Sequence, residues 1–216
     1  MEEEKQQPCL SCVDCHTLNC WKQNSTYPAF CLTEEGREAG TYQRAMDELR
    51  QPENQRVAVA AAEVEYEGYG KRTRVEEIIQ FARKLGVTKI GIATCAGLIE
   101  ESRTLTKILR INGFEVYGAA CKAGATPKVD IGIPKACEAV GVNMCNPIYQ
   151  AELLNDAGTQ LNLIVGLCVG HDSLFIKYSR ALCTSVITKD RILAHNPAAA
   201  LYQTGCYYSR LMEYQP

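Results

Sequence analysis

The sequence lacks the long apolar segment and the basic run that mark membrane and nucleic-acid-binding proteins. No apolar stretch in its 216 residues reaches the ~18 to 20 residues that a bilayer span needs. The net charge is −2, so there is no electrostatic footprint for nucleic acid, and no cluster of Lys and Arg points to a membrane surface. We therefore expect neither nucleic acid nor a membrane as a partner.

Three common catalytic signatures are also missing. The chain has no G-x-x-x-x-G-K-[ST] phosphate loop, no G-x-G-x-x-G after a strand and no G-x-S-x-G turn. Nucleotide binding and serine hydrolysis therefore have no motif support. The first residues, MEEEKQQPC, are acidic and polar, unlike a signal peptide. We expect a cytoplasmic protein whose twelve cysteines bind metal or stay as thiols rather than form disulfides.

What the sequence does contain is a pattern of helices alternating with short apolar runs. Helical spacing covers residues 34–68 and continues in RVEEIIQFARKLG at 74–86. The apolar runs that predict buried strands are KIGIATC at 89–95, FEVYGAAC at 114–121 and LNLIVGLC at 161–168. This alternation predicts an α/β fold, a three-layer, Rossmann-like, mostly parallel sheet with helices on both faces. Residues 184–195, TSVITKDRILAH, predict two further strands joined by a turn at Lys189-Asp190.

The N-terminal segment differs in composition from the rest. Residues 1–33 have little hydrophobic periodicity, and they predict a small metal-stapled module before a helical lead-in and α/β domain at residues 34–216. The cysteines of the module are Cys9, Cys12, Cys15, Cys20 and Cys31. Their close spacing suits Zn²⁺ or an iron–sulfur cluster, because neighbouring thiolates can reach one site. An unligated tail with reactive thiols is the alternative, and His16 is expected to be an exposed bystander.

A second set of cysteines follows the predicted strands. Cys95, Cys121 and Cys168 each end an apolar run, and the carboxyl ends of parallel strands meet at one edge of a sheet, where ligands bind. Cys145 precedes Asn146-Pro147, which opens a helix whose positive end stabilises a thiolate. We expect these four cysteines to bind one cofactor. The alternative is that they are ordinary small buried residues.

Polar residues surround this second set. His171 and Asp172 come shortly after Cys168, and such a pair can transfer protons. Lys122 and Lys128 could neutralise a thiolate-rich cluster or hold an anionic substrate, or they are solvated loop charges. The candidate catalytic residues are therefore His171, Asp172 and Lys122, although His171 can equally be a metal ligand or a structural residue. The remaining cysteines, expected to be packing or incidental, are Cys137, Cys183 and Cys206.

The chain contains the segments MCNPIYQAELLN, GLCVGHDSLFIKYS and KDRILAHNPAAALY. Together with the N-terminal cysteine run, these segments resemble a family of uncharacterised microbial proteins that is often described as predicted metal-binding. The resemblance covers most of the chain and implies a cysteine-rich metal module joined to an α/β domain. It also implies that the N-terminal ligands are Cys12, Cys15, Cys20 and Cys31, with Cys9 as an extra cysteine. No reaction is implied.

Three readings of the function fit these features. The first is an iron–sulfur protein with a 4Fe–4S cluster, carrying redox chemistry with a redox partner or a small-molecule substrate. The second is a non-catalytic zinc-binding protein that serves as a sensor, carrier or interaction module. A third reading is a thiol-redox enzyme with Cys121 or Cys168 as its nucleophile.

Overall fold

The computed structural model describes residues 10–22, 24 and 26–213. The helices are α1 (Asn19–Lys22), α2 (Leu32–Glu38), α3 (Thr41–Leu49), α4 (Pro52–Gly68), α5 (Arg74–Lys84), α6 (Ile99–Ile111), α7 (Pro147–Asp156), α8 (His171–Tyr178) and α9 (Ala198–Tyr202). The strands are β1 (Lys89–Thr94), β2 (Glu115–Ala120), β3 (Leu161–Val165) and β4 (Leu182–Ile187). The chain divides into two compact units, the first ending at Glu63 and the second starting at Val64. No helix within the described ranges has the length and apolar character needed to cross a membrane.

All four strands belong to one parallel sheet in the order β2-β1-β3-β4. Helix α6 connects β1 to β2, α7 leads into β3, and α8 connects β3 to β4. The chain therefore adds β2 on one side of β1 and then returns to add β3 and β4 on the other side. This reversal places a topological switch point between β1 and β3, where open α/β sheets bind their ligands.

Helices cover both faces of the sheet, which confirms the α/β prediction. On one face, Ile92 and Leu163 of the sheet join a core that includes Ile79 of α5 and Leu109 of α6. On the other face, the core combines sheet, α7 and α8 residues: Ala93, Ala119, Ile164, Leu154 and Phe175. Every residue of β3 is buried, because this strand has a neighbour on each side and a helical layer on each face.

Gly91 of β1 and Asn162 of β3 approach each other closely, on the face of the sheet that packs against α7 and α8. Asn162 is fully buried, and its Oδ1 accepts a hydrogen bond from Thr159 Oγ1 at 2.7 Å. Its Nδ2 donates to Ser179 Oγ at 2.8 Å. A Cβ added at Gly91 would lie 2.0 Å from Asn162 Oδ1. Glycine is therefore required at position 91 for the buried amide to fit.

The predicted hairpin at 184–195 is wrong. Leu182–Ile187 forms one strand, which pairs parallel with β3, and residues 191–195 form turns. Asp190 closes the turn, because its Oδ1 accepts the backbone N–H groups of Ile192 at 2.9 Å and Leu193 at 2.8 Å. Those two N–H groups cannot then serve a β-ladder. The consequence is that the residues after β4 lie at the carboxyl edge of the sheet.

Candidate functional site

Four cysteines from separate parts of the second unit line one cavity of about 610 Å³. Cys95 and Cys121 directly follow β1 and β2, and Cys168 lies three residues beyond Val165, the end of β3. Cys145 lies two residues before α7. The parallel sheet thus brings thiols that are far apart in sequence to its carboxyl edge. Cys121 is buried and the other three are half-buried.

Backbone hydrogen bonds hold the loops that carry these thiols. Cys95 N–H donates to the carbonyl oxygen of Val165 at 3.1 Å, which continues the pairing of β1 with β3. Cys121 N–H donates to the carbonyl oxygen of Thr94 at 2.8 Å, and Asn146 N–H donates to that of Cys121 at 2.9 Å. Three of the cysteine positions are therefore fixed by main-chain bonds to a neighbouring strand or loop.

Cys121 and Cys145 form a hydrogen-bonded pair. The pKa of Cys145 is lowered to about 5, chiefly by the bond from Cys121 and to a smaller extent by Lys122 and His171. The same bond, with burial, raises the pKa of Cys121 far above that of an ordinary thiol. The backbone N–H of Ala96 also donates to Cys121 Sγ, at 3.2 Å. The two thiols therefore titrate as a pair, in which Cys145 loses its proton more readily than Cys121.

Arg191 contributes a cation to the thiol-lined cavity. Its Nη2 donates to Cys168 Sγ at 3.1 Å. This hydrogen bond is the main cause that raises the pKa of Arg191, and the charges of Cys95 and Cys145 contribute in the same direction. The guanidinium therefore stays charged and interacts with three of the four cysteines.

The loop that carries Arg191 is tightly constrained. Asp190 N–H donates to His195 Nδ1 at 3.1 Å, and His195 N–H donates to the carbonyl oxygen of Asp190 at 2.9 Å. Ala194 and His195 have φ angles of 49° and 65°, in the left-handed region that disfavours residues with a Cβ. Such local strain is characteristic of functional loops. The hydrogen bonds between Asp190 and His195 constrain the loop from which Arg191 reaches the cavity.

The other predicted site residues are placed as follows. Lys122 and His171 line the cavity, and Lys122 Nζ donates to the carbonyl oxygen of Asn143 at 2.6 Å. Asp172 is not among the lining residues, and its Oδ1 accepts the N–H of Ser173 at 2.8 Å. Sequence reasoning missed Arg191. The available signal was its position just after an apolar strand, which the hairpin interpretation hid.

The described N-terminal cysteines surround a second, smaller cavity. Cys12, Cys15, Cys20 and Cys31 all line this space of about 70 Å³. A hydrogen bond with the Thr17 hydroxyl, with backbone bonds from Leu18 and Thr17, lowers the pKa of Cys15. His16 is exposed. Cys9 lies outside the described residues.

The spacing of the thiols bears on what each cavity can hold. Within the described ranges, no group of three or more His, Cys, Asp or Glu side chains is arranged to hold one metal ion. A single zinc ion needs each sulfur about 2.3 Å away. In an iron–sulfur cluster each thiolate instead binds its own iron, so the sulfurs lie farther apart around a larger centre. Among the described residues, the four thiols of the larger cavity are therefore not drawn together around a single ion.

Comparison with known proteins gives the family. Residues 31–186 match the family described as "Protein of unknown function (DUF1847)". An uncharacterised protein, MJ0455 of Methanocaldococcus jannaschii, is 45% identical over 183 residues, which are 85% of this chain and 94% of that protein. The matched family span includes all four cysteines of the larger cavity. The chain therefore belongs to the DUF1847 family, and the resemblance to an uncharacterised family is confirmed.

Proposed function

We propose that this protein binds an iron–sulfur cluster, of the 4Fe–4S type, through Cys95, Cys121, Cys145 and Cys168. The observation that carries the proposal is that these four cysteines, from separate strand–helix units, line one cavity. Thiolates are the preferred ligands of iron–sulfur clusters. The cavity lies beside the switch point of the sheet, where α/β proteins commonly bind cofactors.

The surroundings of the thiols support an anionic cluster. The Ala96 N–H at Cys121 Sγ and the Arg191 guanidinium at Cys168 Sγ are donors of the kind that stabilise cluster ligands. The lowered pKa of Cys145 means that one ligand is already deprotonated near neutral pH. Binding at that position therefore does not require removal of a proton, which favours metal uptake.

A cluster held by all four cysteines would supply electron transfer, and one held by three of them would leave one iron open as a Lewis acid for a small-molecule substrate. His171, at the start of α8, lines the cavity and is suited to exchange a proton with a bound molecule. Lys122 also lines the cavity, where its bond to Asn143 holds it and its charge offsets negative charge. These roles make an iron–sulfur redox or lyase activity the reading that best uses the residues of the cavity.

Anaerobic purification followed by iron and sulfide analysis tests the proposal. We expect a brown protein with about four irons at this site and a Cys121→Ser/Cys168→Ser variant that loses that iron. Cys206→Ser is the matched control, because Cys206 is exposed and lines neither cavity. A wild-type protein that holds no iron or sulfide after anaerobic reconstitution contradicts the proposal.

A second candidate, a structural zinc ion, concerns the N-terminal cysteines. The observation that favours it is the small cavity lined by Cys12, Cys15, Cys20 and Cys31. None of the described residues between 10 and 49 is buried, so this segment has no hydrophobic core, and a metal would supply the missing stability. Zinc binding requires the four sulfurs to draw together around one ion.

Elemental analysis of a Cys12→Ser/Cys15→Ser variant tests this second site. We expect the loss of one zinc per chain with the iron of the larger cavity unchanged. The matched control is Cys206→Ser, which removes an exposed thiol that lines neither cavity. Equal zinc content in the wild type and the double variant would contradict an N-terminal zinc site.

A further inference from the structure

The charges that line the larger cavity are unbalanced. Its cationic residues are Lys122, Lys128 and Arg191, and its described lining contains no Asp or Glu. In the described part of the chain, none of the three forms an ion pair with a carboxylate. A 4Fe–4S cluster with four thiolates carries a net charge of about −2 in its oxidised form. Positive charge therefore remains for a further anion.

Of the three cations, Lys128 gives the strongest argument for a bound anion. It is only 8% exposed, and its Nζ donates to the carbonyl oxygen of Cys137. A buried ammonium is costly unless an anion and further hydrogen bonds compensate for the lost water. One backbone carbonyl supplies little of this compensation. An anionic ligand in the cavity would supply the rest.

Arg191 adds a cationic group with directional hydrogen-bond donors to the cavity lining. Its guanidinium is held by the constrained loop described above and uses Nη2 on Cys168. A guanidinium has five N–H donors in a planar fork that matches a carboxylate or phosphate. One hydrogen bond to sulfur therefore leaves other N–H groups able to bind an oxyanion.

The remaining lining points to an organic ligand. Ile133, Val140 and Met144 form an apolar part of the cavity wall. The volume of about 610 Å³ lies within the range of small-molecule sites, which combine an apolar wall with a few polar groups. An inorganic anion would fill only the charged end of this space.

We propose that the cavity binds a small organic carboxylate, with its carboxylate group at Arg191, Lys128 and Lys122 and its apolar part against Ile133, Val140 and Met144. The inference deepens the proposed function and rests on it, because the carboxylate would be the substrate presented to the cluster. The proposed substrates are therefore carboxylic acids with a compact hydrophobic portion.

Calorimetric titration of the full-length protein with benzoate tests the proposal. Benzamide is the neutral probe of the same shape, and inorganic phosphate is the inorganic probe. We expect saturable binding of benzoate, with benzamide binding about tenfold more weakly because it lacks the charge-assisted hydrogen bonds. Arg191→Gln should weaken benzoate binding by about tenfold for the same reason. Each sample is also analysed for iron and sulfide.

Arg180→Gln is the matched control, because Arg180 is exposed and precedes β4, at the other edge of the sheet. It should bind benzoate like the wild type. Lys122→Gln supplies an independent variant of a second cation that lines the cavity, and it should also weaken binding. The inference is overturned if benzoate and benzamide bind equally, if Arg191→Gln has no effect, or if phosphate binds and benzoate does not.

The iron analysis separates failure of this inference from failure of the proposed function. A wild-type protein without iron and sulfide contradicts the cluster alone. Benzoate binding that Arg191→Gln weakens in that same metal-free protein still supports the carboxylate site. Normal iron and sulfide with no benzoate binding contradicts the carboxylate site alone.

Discussion

The side chain of Gln150 binds the last residue of β1: its Nε2 donates to the carbonyl oxygen of Thr94 at 3.1 Å. The same nitrogen donates to the carbonyl oxygen of Ala119 in β2 at 2.7 Å. Gln150 is fully buried in α7. It contacts the carboxyl ends of β1 and β2, which Cys95 and Cys121 directly follow. One amide therefore joins the helix that follows Cys145 to the two strands that precede the other cysteines.

We predict that Gln150→Leu destabilises the protein by about 1–3 kcal/mol, because two buried carbonyls lose a donor. The loss is partly offset, since Gln150 Oε1 is itself buried without a hydrogen-bond partner among the described residues, and leucine removes that unpaired oxygen as well. Urea denaturation followed by circular dichroism measures the change. Gln203→Leu, at an exposed position, should leave the free energy of unfolding within about 0.5 kcal/mol.

The proton shared by Cys121 and Cys145 predicts an unusual pH profile of alkylation. In reduced, metal-free protein, the Cys145 thiolate should persist down to about pH 5, whereas an ordinary thiol is half-deprotonated near pH ~8.5. Reaction with iodoacetamide at pH 6, followed by peptide mass spectrometry, should therefore label Cys145 before the exposed Cys137 and Cys206. Below pH 5 the labelling of Cys145 should fall as the thiolate is protonated.

Replacing Cys121, the hydrogen-bond donor, should abolish the preferential labelling of Cys145 at pH 6. Cys121→Ala eliminates the largest cause of the lowered pKa of Cys145, so the thiolate fraction at pH 6 should fall by about tenfold or more. Cys206→Ser changes an exposed thiol outside the cavity and should not alter the labelling of Cys145. Unchanged labelling of Cys145 in Cys121→Ala would show that the pair does not share a proton.

The two glycines of the neighbouring strands β1 and β2 should respond differently to alanine. Gly91→Ala places a methyl group against Asn162 Oδ1 and Leu154, and we expect a loss of about 1–3 kcal/mol from overpacking. The Cβ of Gly118→Ala would have only Ile92 O nearby, at 3.9 Å, so alanine should be neutral or slightly stabilising there. Thermal and urea unfolding of the pair of variants measures the difference, and equal stability contradicts the close approach of Asn162.

The turn closed by Asp190 predicts the hydrogen-exchange rates of two backbone amides. Asp190→Ala removes the acceptor of the Ile192 and Leu193 N–H groups. Hydrogen exchange at these two amides should accelerate by about fivefold, the equivalent of one net hydrogen bond of ~1 kcal/mol. Asp190→Asn keeps an oxygen acceptor and should stay near the wild-type rate. Similar rates in all three proteins contradict the role of the turn.

Much of the sheet could be predicted because its two central strands, β1 and β3, are buried along almost their whole length. Such strands are continuous apolar runs, and the predicted segments at 89–95, 114–121 and 161–168 contain β1, β2 and β3. The placement of Cys95 and Cys121 at the carboxyl edge follows directly from that pattern. Parallel pairing fixes which end of each strand meets the others, so local sequence was sufficient there.

The residues around β4 could not be predicted in the same way. The run TSVIT followed by Lys189-Asp190 has the local pattern of a hairpin, yet β4 pairs with β3 through the crossover made by α8. Local sequence does not state which strand is the partner. Arg191 was therefore missed. The sequence pattern also did not predict that Lys128 is buried. Its ammonium group binds the carbonyl oxygen of Cys137, which belongs to a separate segment.

Every helix-to-strand turn of the sheet lies at the edge opposite the four cysteines. Two of these turns, at Gly113 and Gly158, carry glycines with positive φ and open space around the missing Cβ. A tether, a dye or a new pair of chain ends introduced there would anchor the protein by its inert edge. The thiol-lined cavity would then face the solution, which is the orientation that an electrode-bound or bead-bound form of the protein requires.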